Sequence, residues 1–182
     1  MVQSARWVGS SGRKGFRSSP YTPPNRGRLP RTETQMFRGR FVHTIDSKNR
    51  MSLPGVFRTE LQRRSEHPPI LTNAHQCLEL HPYEDWQQFE EKIVGIATID
   101  PRAQALARMM VSGAVECPID KQGRILVPQH LREYAGLDRD VTVAGVGPKI
   151  ELWNSARFEA NLIQTQARYE EISIDLAAKL GS

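Results

Sequence analysis

The chain has 182 residues, of which 38% are hydrophobic, and this suits one or two small globular domains with a core of their own. Residues 1–35 hold seven basic residues and one acidic residue, a charge of +6 that accounts for the formal net charge of +5 of the whole chain. The other 147 residues hold 18 basic and 19 acidic side chains. Net charge alone is therefore weak evidence for a nucleic-acid partner, and any anion-binding surface must come from local clustering.

Cysteine usage and hydropathy favour a cytoplasmic protein. Cys77 and Cys117 form no C-x-x-C motif, which indicates reduced, buried thiols in place of a disulfide or a metal site. No apolar run approaches the ~20 residues that a membrane span needs, and residues 1–35 lack the apolar core of a secretory signal. We therefore expect no membrane partner.

Residues 1–35 form a basic leader that is rich in Gly, Ser, Pro and Arg from residue 9 onward. Such a composition buries too little apolar surface to offset the entropy of ordering, so we predict disorder. Three interpretations stay open: an arm that touches DNA phosphates, a segment without function, or an upstream start codon assigned in place of Met36.

The ordered part is predicted to begin with a strand, a polar loop and a second strand. Apolar residues alternate in FVHTI (41–45) and in MSL (51–53), which is typical of strands. DSKNR (46–50) lies between them, and Asn49 suits a left-handed backbone position there.

Helices and two further strands follow. Pro54 begins a helix whose inward residues are predicted to be Val56, Phe57 and Leu61. PPILTN and QCLELHP read as strands. The next helix carries apolar residues at spacings of three and four, namely Trp86, Phe89, Ile93 and Ile96. A further helix ends at Gly113.

The pattern then restarts. VECPI (115–119), DKQGR (120–124) and ILV again read as strand, loop and strand, and Pro128 begins a helix that ends at Gly136. DVTVAGVGPKIELW predicts two strands around a Gly-rich turn. One long final helix is predicted, with an apolar stripe of Phe158, Leu162, Tyr169, Ile172 and Leu176.

The two halves are related as an internal repeat. Residues 45–58 align with 119–132 at an offset of 74, and the match includes Asp, Arg, Pro and the apolar positions. LEL at 78–80 matches IEL at 150–152 at an offset of 72. Duplicated β-loop-β-α-β-β-α units of this kind often need each other to bury a core. The predicted organisation is a leader (1–35), domain 1 (40–87), connecting helices (88–113), domain 2 (114–159) and a C-terminal helix (160–182).

Strand pairing between the halves would bring both polar loops to one surface about a pseudo-twofold axis, because open strand edges must pair. That surface would be basic on a nearly neutral body. Lysine suits phosphate as a point charge, and arginine can also contact guanine edges in bidentate fashion. We therefore predict DNA-binding side chains at Lys48, Arg50, Lys121 and Arg124.

The acidic residues and the turn residues of the two loops are interpreted as structural and not as DNA-binding. An Asp at a loop start accepts backbone N–H groups, so a loop-shaping role is predicted for Asp46, Asn49, Asp120 and Gly123. An alternative stays open in which each Arg only pairs with its Asp. Arg58 and Arg132 lie on predicted helices, where surface ion pairing is expected.

MFRGR (36–40), DSKNRMSLP and DKQGRILVP closely resemble the MraZ family of bacterial transcriptional regulators. The loop-strand-Pro-helix units are similar to SpoVT/AbrB domains, and AGL (135–137) and IELW (150–153) fit the family pattern. The resemblance extends from Met36 to about residue 175. Two positions depart from the family pattern. Asn49 stands where the family often has Gly. In DKQGR the lysine is Lys121, one position earlier than expected, because Gln122 occupies the position that matches Lys48.

The resemblance implies an α+β fold in which swapped hairpins form a SpoVT/AbrB-like β-barrel with flanking helices. It implies ring-shaped homo-oligomers that gather the D-x-x-x-R loops on one face. It also implies a nucleoid-associated protein that represses or modulates the division and cell wall gene cluster through promoter repeats. Arg38 and Arg40 of MFRGR join the predicted contacts to double-stranded DNA.

Other classes of function have less support. The five His residues show no metal-ligand spacing, and no Gly-rich phosphate cradle or nucleophile accompanies the loops. We therefore expect no enzyme, no cofactor and no small-molecule substrate. An oligomeric interaction module that does not bind DNA is the alternative, although it would not need paired basic loops. A related antitoxin-like regulator typically uses one copy of the unit, and this chain has two.

Overall fold

A computed structural model describes residues 36–180, and the predicted leader lies outside these residues. Within them the strands are β1 (Phe37–Thr44), β2 (Arg50–Ser52), β3 (Ile70–Asn73), β4 (Leu78–His81), β5 (Val115–Glu116), β6 (Arg124–Leu126), β7 (Asp140–Gly147) and β8 (Lys149–Asn154). The helices are α1 (Gly55–Arg64), α2 (Tyr83–Ala97), α3 (Pro101–Ser112), α4 (Gln129–Tyr134), α5 (Ser155–Ala167) and α6 (Tyr169–Leu180).

Local sequence signals explain where most helices begin. Helices α1, α2 and α4 each follow directly after a proline, at Pro54, Pro82 and Pro128, a residue whose missing N–H costs nothing at a helix start. The side chain of Asp100 caps α3 by accepting the backbone N–H of Arg102 at 2.8 Å. The starts at Pro54 and Pro128 repeat between the halves, as the alignment predicts, whereas Asn154 takes the position of Pro82 and caps α5.

The strands form a six-stranded antiparallel sheet in the order β1-β7-β8-β4-β3-β5 and a two-stranded ribbon of β2 and β6. This order is symmetric under exchange of the halves. Pairing of β1 with β7 corresponds to pairing of β5 with β3, and β4 pairs with its own counterpart β8. The ribbon likewise joins β2 to its counterpart β6. The pseudo-twofold relation and the exchange of strands between halves are therefore visible in the pairing.

The main core lies between one face of the six-stranded sheet and the ribbon with α1 and α4. Its largest fully buried side chains include Met51, Phe57, Ile125 and Leu131, which occupy equivalent positions in pairs. Helices α2, α3 and α5 cover the opposite face of the sheet, where Trp86, Met110 and Phe158 are among the buried side chains. Each half thus contributes matching residues to one shared core.

Several expectations need correction. No closed barrel is found within residues 36–180, because the β2–β6 ribbon is a sheet of its own and β1 and β5 end the larger sheet. Val56 is 62% exposed, since α1 turns Phe57, Glu60 and Leu61 inward. Ile96, one residue before the end of α2, is also exposed.

The final helix differs from the prediction as well. It is divided at Arg168 into α5 and α6, and Arg168 has a non-helical φ of −111° and ψ of 14°. Phe158 is buried and Leu162 packs against it, but Tyr169 and Leu176 are exposed and α6 has no buried residue. The predicted apolar stripe therefore packs on the sheet only along α5.

Candidate nucleic-acid interface

Loop 1, residues 46–50, is organised around the carboxylate of Asp46. Its Oδ1 accepts the backbone N–H groups of Lys48 at 2.8 Å and Arg50 at 2.9 Å. Its Oδ2 accepts Nε of Arg50 at 3.0 Å and lies 2.9 Å from Nη2. Asn49 has a positive φ of 58°, a left-handed conformation that Asn tolerates. One carboxylate thus fixes both the loop backbone and the arginine.

Loop 2, residues 120–124, repeats this geometry. Oδ1 of Asp120 accepts the backbone N–H groups of Gln122 and Arg124, both at 2.9 Å. Its Oδ2 accepts Nε of Arg124 at 2.8 Å and lies 2.7 Å from Nη2. Gly123 takes the left-handed position, with φ of 76°. Gln122 adds one contact of its own, because its Oε1 accepts Nη2 of Arg124 at 2.9 Å.

The ribbon brings the two loops together. Arg50 lies opposite Leu126, which is two residues from Arg124, so the two arginines are diagonal neighbours about 7–8 Å apart at Cα. Met51 and Ile125 face the core and are 1% exposed. Because side chains alternate along a strand, both arginines lie on the outer face of the ribbon. The loops flank the two ends of this face.

The cations of the ribbon and its two loops fall into two kinds. Lys48 and Lys121 are exposed, and within residues 36–180 neither ammonium group has a hydrogen-bond or ion-pair partner. Arg50 and Arg124 are bound to their aspartates through Nε and Nη2. A guanidinium carries five N–H donors, so Nη1 of each arginine can still donate to an anion.

The aspartates remain ionised under ordinary conditions. The backbone N–H of Arg50, followed by its side chain and the N–H of Lys48, outweighs desolvation and lowers the pKa of Asp46 to about 2. The side chain of Arg124 and then its backbone N–H lower the pKa of Asp120. Each loop therefore carries a persistent Asp–Arg pair with little net charge, and the lysines supply the excess positive charge.

Arg38 and Arg40 lie apart from the loops. Both are exposed on β1, and Arg40 precedes Asp46 by six residues, about 20 Å along an extended strand. The guanidinium of Arg40 lies over the ring of Phe158 at 4.9 Å, and its Nη1 lies 3.9 Å from Oε1 of Glu159. These contacts connect Arg40 to α5.

Two arginines next to the loops have a different environment from the one predicted. Arg132 donates from Nε to the carbonyl of Leu137 at 2.9 Å and from Nη1 to Oδ1 of Asn49 at 2.6 Å. The expected surface ion pair was wrong for this residue. Arg58 lies against Gly123. The sequence signal that could have indicated these contacts was the recurrence of the two arginines at equivalent positions of the repeat.

The described residues contain no group of three or more His, Cys, Asp or Glu side chains that could hold a metal ion. Among residues 36–180, no helix has the length and apolar character needed to cross a membrane.

The chain is similar to known proteins over nearly all of the described residues. A family model described as "MraZ protein, putative antitoxin-like" matches it twice, over residues 36–109 and 110–176. The two matches correspond to the two halves of the repeat.

Three relatives are each called "Transcriptional regulator MraZ". The protein of Carboxydothermus hydrogenoformans is 41% identical over 138 residues, which cover 76% of this chain and 94% of the relative. The Moorella thermoacetica protein is 40% identical over the same coverage. The Desulfitobacterium hafniense protein is 43% identical over 66% of this chain and 82% of its own. These findings confirm the resemblance inferred from the loops.

Proposed function

Because the chain belongs to the MraZ family, we propose that it is a transcriptional regulator that binds double-stranded promoter DNA through loop 1 and loop 2. The observation that carries this proposal is the ribbon, whose outer face carries the arginines of two equivalent Asp–Arg loops, and each of these loops also has an exposed lysine. The proposal assigns binding to this face and no reaction to the chain.

The loop geometry supports a division of labour among the side chains. Asp46 and Asp120 hold the loops in shape. Lys48 and Lys121, which lack partners within the described residues, contact backbone phosphates as point charges. Arg50 and Arg124 approach DNA with their orientation already fixed by the carboxylates, so little side-chain entropy is lost on binding, and their Nη1 groups contact phosphates or base edges.

A single chain offers few contacts, so useful affinity requires several copies that bind repeated sites together. We propose a ring-shaped homo-oligomer that displays the loops on one face. Exposed apolar side chains on α5 and α6 support assembly, since large apolar surfaces left open on a soluble chain often mark interfaces; they are Ile163, Tyr169, Ile174, Leu176 and Leu180. A monomer in solution that kept full specific affinity would contradict this part.

The family resemblance extends the proposal to the target. The regulated genes would be the division and cell wall cluster, with repeats near its promoter, and repression would take place at the nucleoid in the cytoplasm. A footprint over the DNA upstream of the protein's own gene tests this directly. Protected repeats at regular spacing are expected, whereas a uniform or absent footprint would reject a sequence-specific site.

The loops themselves are tested by the double substitution Arg50→Ala with Arg124→Ala. We expect it to abolish specific DNA binding in a gel-shift titration, while circular dichroism and oligomer size remain as in the parent protein. Arg63→Ala is the matched control, because Arg63 lies on α1 and pairs with Glu60. Unchanged DNA affinity in the double variant would favour an oligomeric interaction module that does not bind DNA.

A further inference from the structure

Loop 1 is held by a side chain of the other half. Nη1 of Arg132, on α4, donates to Oδ1 of Asn49 at 2.6 Å across 83 residues of sequence. Arg132 is itself anchored by the hydrogen bond from its Nε to the carbonyl of Leu137. The backbone carbonyl of Asn49 accepts the N–H of Val127 at 2.8 Å. Both the side chain and the backbone of Asn49 are therefore tied to the second half.

Loop 2 has the equivalent arrangement, in which Arg58 packs against Gly123 instead of donating a hydrogen bond as Arg132 does to Asn49. A Cβ placed on Gly123 would lie 1.7 Å from Nη1 and 2.7 Å from Cζ of Arg58. The guanidinium of Arg58, on α1 of the first half, thus occupies the space that a side chain would fill. The carbonyl of Gly123 accepts the N–H of Leu53 at 3.0 Å.

The pairing of strands between the halves explains why each loop is contacted by a helix of the opposite half. Since β2 pairs with β6, each loop lies beside the strand end and the helix start of the opposite half. Arg58 and Arg132 are equivalent in the repeat, and so are Asn49 and Gly123. Two arginines at equivalent positions therefore meet the left-handed residue of the opposite loop in both directions.

We propose that Arg132 and Arg58 are positioning residues, each of which holds the DNA-binding loop of the opposite half. Arg132 orients loop 1 through Asn49, and Arg58 orients loop 2 by packing over Gly123. The left-handed residue immediately precedes the loop arginine, so a shift there would move Arg50 or Arg124. This inference rests on the proposed function, and it makes each loop depend on the half to which it does not belong.

The test combines substitutions across the halves and measures promoter DNA affinity by fluorescence anisotropy at low salt. Arg132→Ala should weaken binding about tenfold, the effect of losing one hydrogen bond from a charged group. In combination with Arg50→Ala, Arg132→Ala should cause little further loss of affinity, because loop 1 is already impaired. In combination with Arg124→Ala, it should cause its full tenfold loss. Arg58→Ala should show the reverse pattern.

Other roles predict different patterns. A direct contact from Arg132 to DNA predicts that Arg132→Ala adds fully to both loop substitutions. A role within its own half predicts non-additivity with Arg124→Ala. A general loss of stability predicts equal effects in both combinations. Any of these three patterns would overturn the proposal, and Arg63→Ala again serves as the control on α1.

Amide hydrogen exchange separates this inference from the proposed function, because it requires no DNA. Arg132→Ala should speed exchange at Lys48 and Arg50, whose N–H groups bind Asp46, more than at Gln122 and Arg124. Arg58→Ala should do the opposite. If Arg50→Ala and Arg124→Ala leave DNA affinity unchanged, the proposed function fails. Amide hydrogen exchange still tests whether Arg132 and Arg58 each hold the loop of the opposite half. Faster exchange in the loop of the same half, or in neither loop, would overturn this inference.

Discussion

Glu79 of β4 lies directly opposite Glu151 of β8, at the centre of the six-stranded sheet, where these two equivalent strands pair. The repeat places these equivalent carboxylates side by side, and like charges at such a position destabilise a sheet. Lys149 lies between them, as it hydrogen-bonds Glu79 and its Nζ lies 3.8 Å from Oε1 of Glu151. The remaining partners are His81, 3.0 Å from Glu79, and Trp153, which donates to Glu151 at 2.9 Å.

Lys149→Met should therefore destabilise the fold by about 2 kcal/mol, because it leaves two opposed carboxylates without their shared cation. Burial opposes ionisation of Glu79, but hydrogen bonds from His81 and Lys149 hold its pKa below the usual value. Urea unfolding at neutral pH measures the effect. Lys92→Met, at an exposed site on α2, should change the free energy of unfolding little. Adding Glu151→Gln should recover part of the loss; no recovery would show that carboxylate repulsion is not the cause.

Gly123→Ala and Gly95→Ala should act in opposite directions. At Gly123 the φ of 76° costs about 1–2 kcal/mol for a residue with a side chain, and the new Cβ would collide with Arg58. We expect a total loss of about 2–3 kcal/mol in thermal or urea unfolding. Gly95 lies within α2 with nothing within 4 Å of its Cβ position, so alanine should stabilise by about 0.5–1 kcal/mol. Arg58→Ala should relieve the collision at residue 123 and leave only the backbone strain.

Short-range patterns in the sequence were sufficient to predict most of the elements. Alternation in FVHTI and MSL predicted the strands on both sides of loop 1, and the structure confirms β1 and β2 there. Turn chemistry marked Asn49 as a left-handed position and the repeat placed Gly123 at the equivalent position, and both residues have a positive φ. The internal repeat predicted that the halves pair, since neither buries a core alone. These inferences depend on neighbours within a few residues or on the repeat itself.

Long-range contacts were not predictable in the same way. Periodicity shows which residues share a face of a helix, but not what covers that face, so Tyr169 and Leu176 were expected inside and are exposed. Whether eight strands close into a barrel depends on the ends of the sheet, which no local pattern encodes. The contact from Arg132 to Asn49 crosses 83 residues, and only the strand exchange places them together.

Lowering the pH should leave loop 1 intact until far into the acid range. The pKa of Asp46 is about 2, below its value in an unfolded chain, so this group stabilises the fold above the unfolded pKa, and that contribution is lost as pH falls through about 2. An NMR titration of the Asp46 carboxyl measures the midpoint. Arg50→Ala should raise it only in part, because the backbone N–H groups of residues 48 and 50 still bind Oδ1. A full return to the ordinary value would contradict this account.

Replacing the two loop lysines should separate charge from loop structure. Lys48→Ala with Lys121→Ala removes two exposed ammonium groups that have no partners within the described residues. The slope of log affinity against log salt should therefore fall by about two per chain bound, while the free energy of unfolding stays within about 0.5 kcal/mol of the parent.

Replacement of the loop arginines should differ from replacement of the lysines both in its effect on DNA binding and in its effect on the free energy of unfolding. Arg50→Ala with Arg124→Ala removes the guanidinium partners of Asp46 and Asp120, so we expect a measurable loss of stability together with the loss of DNA binding. Salt titrations by anisotropy and urea unfolding on the same samples distinguish the two pairs. If the lysine pair changed the stability and left the salt slope unaltered, the exposed lysines would not be the phosphate contacts, and the arginines alone would have to carry the binding.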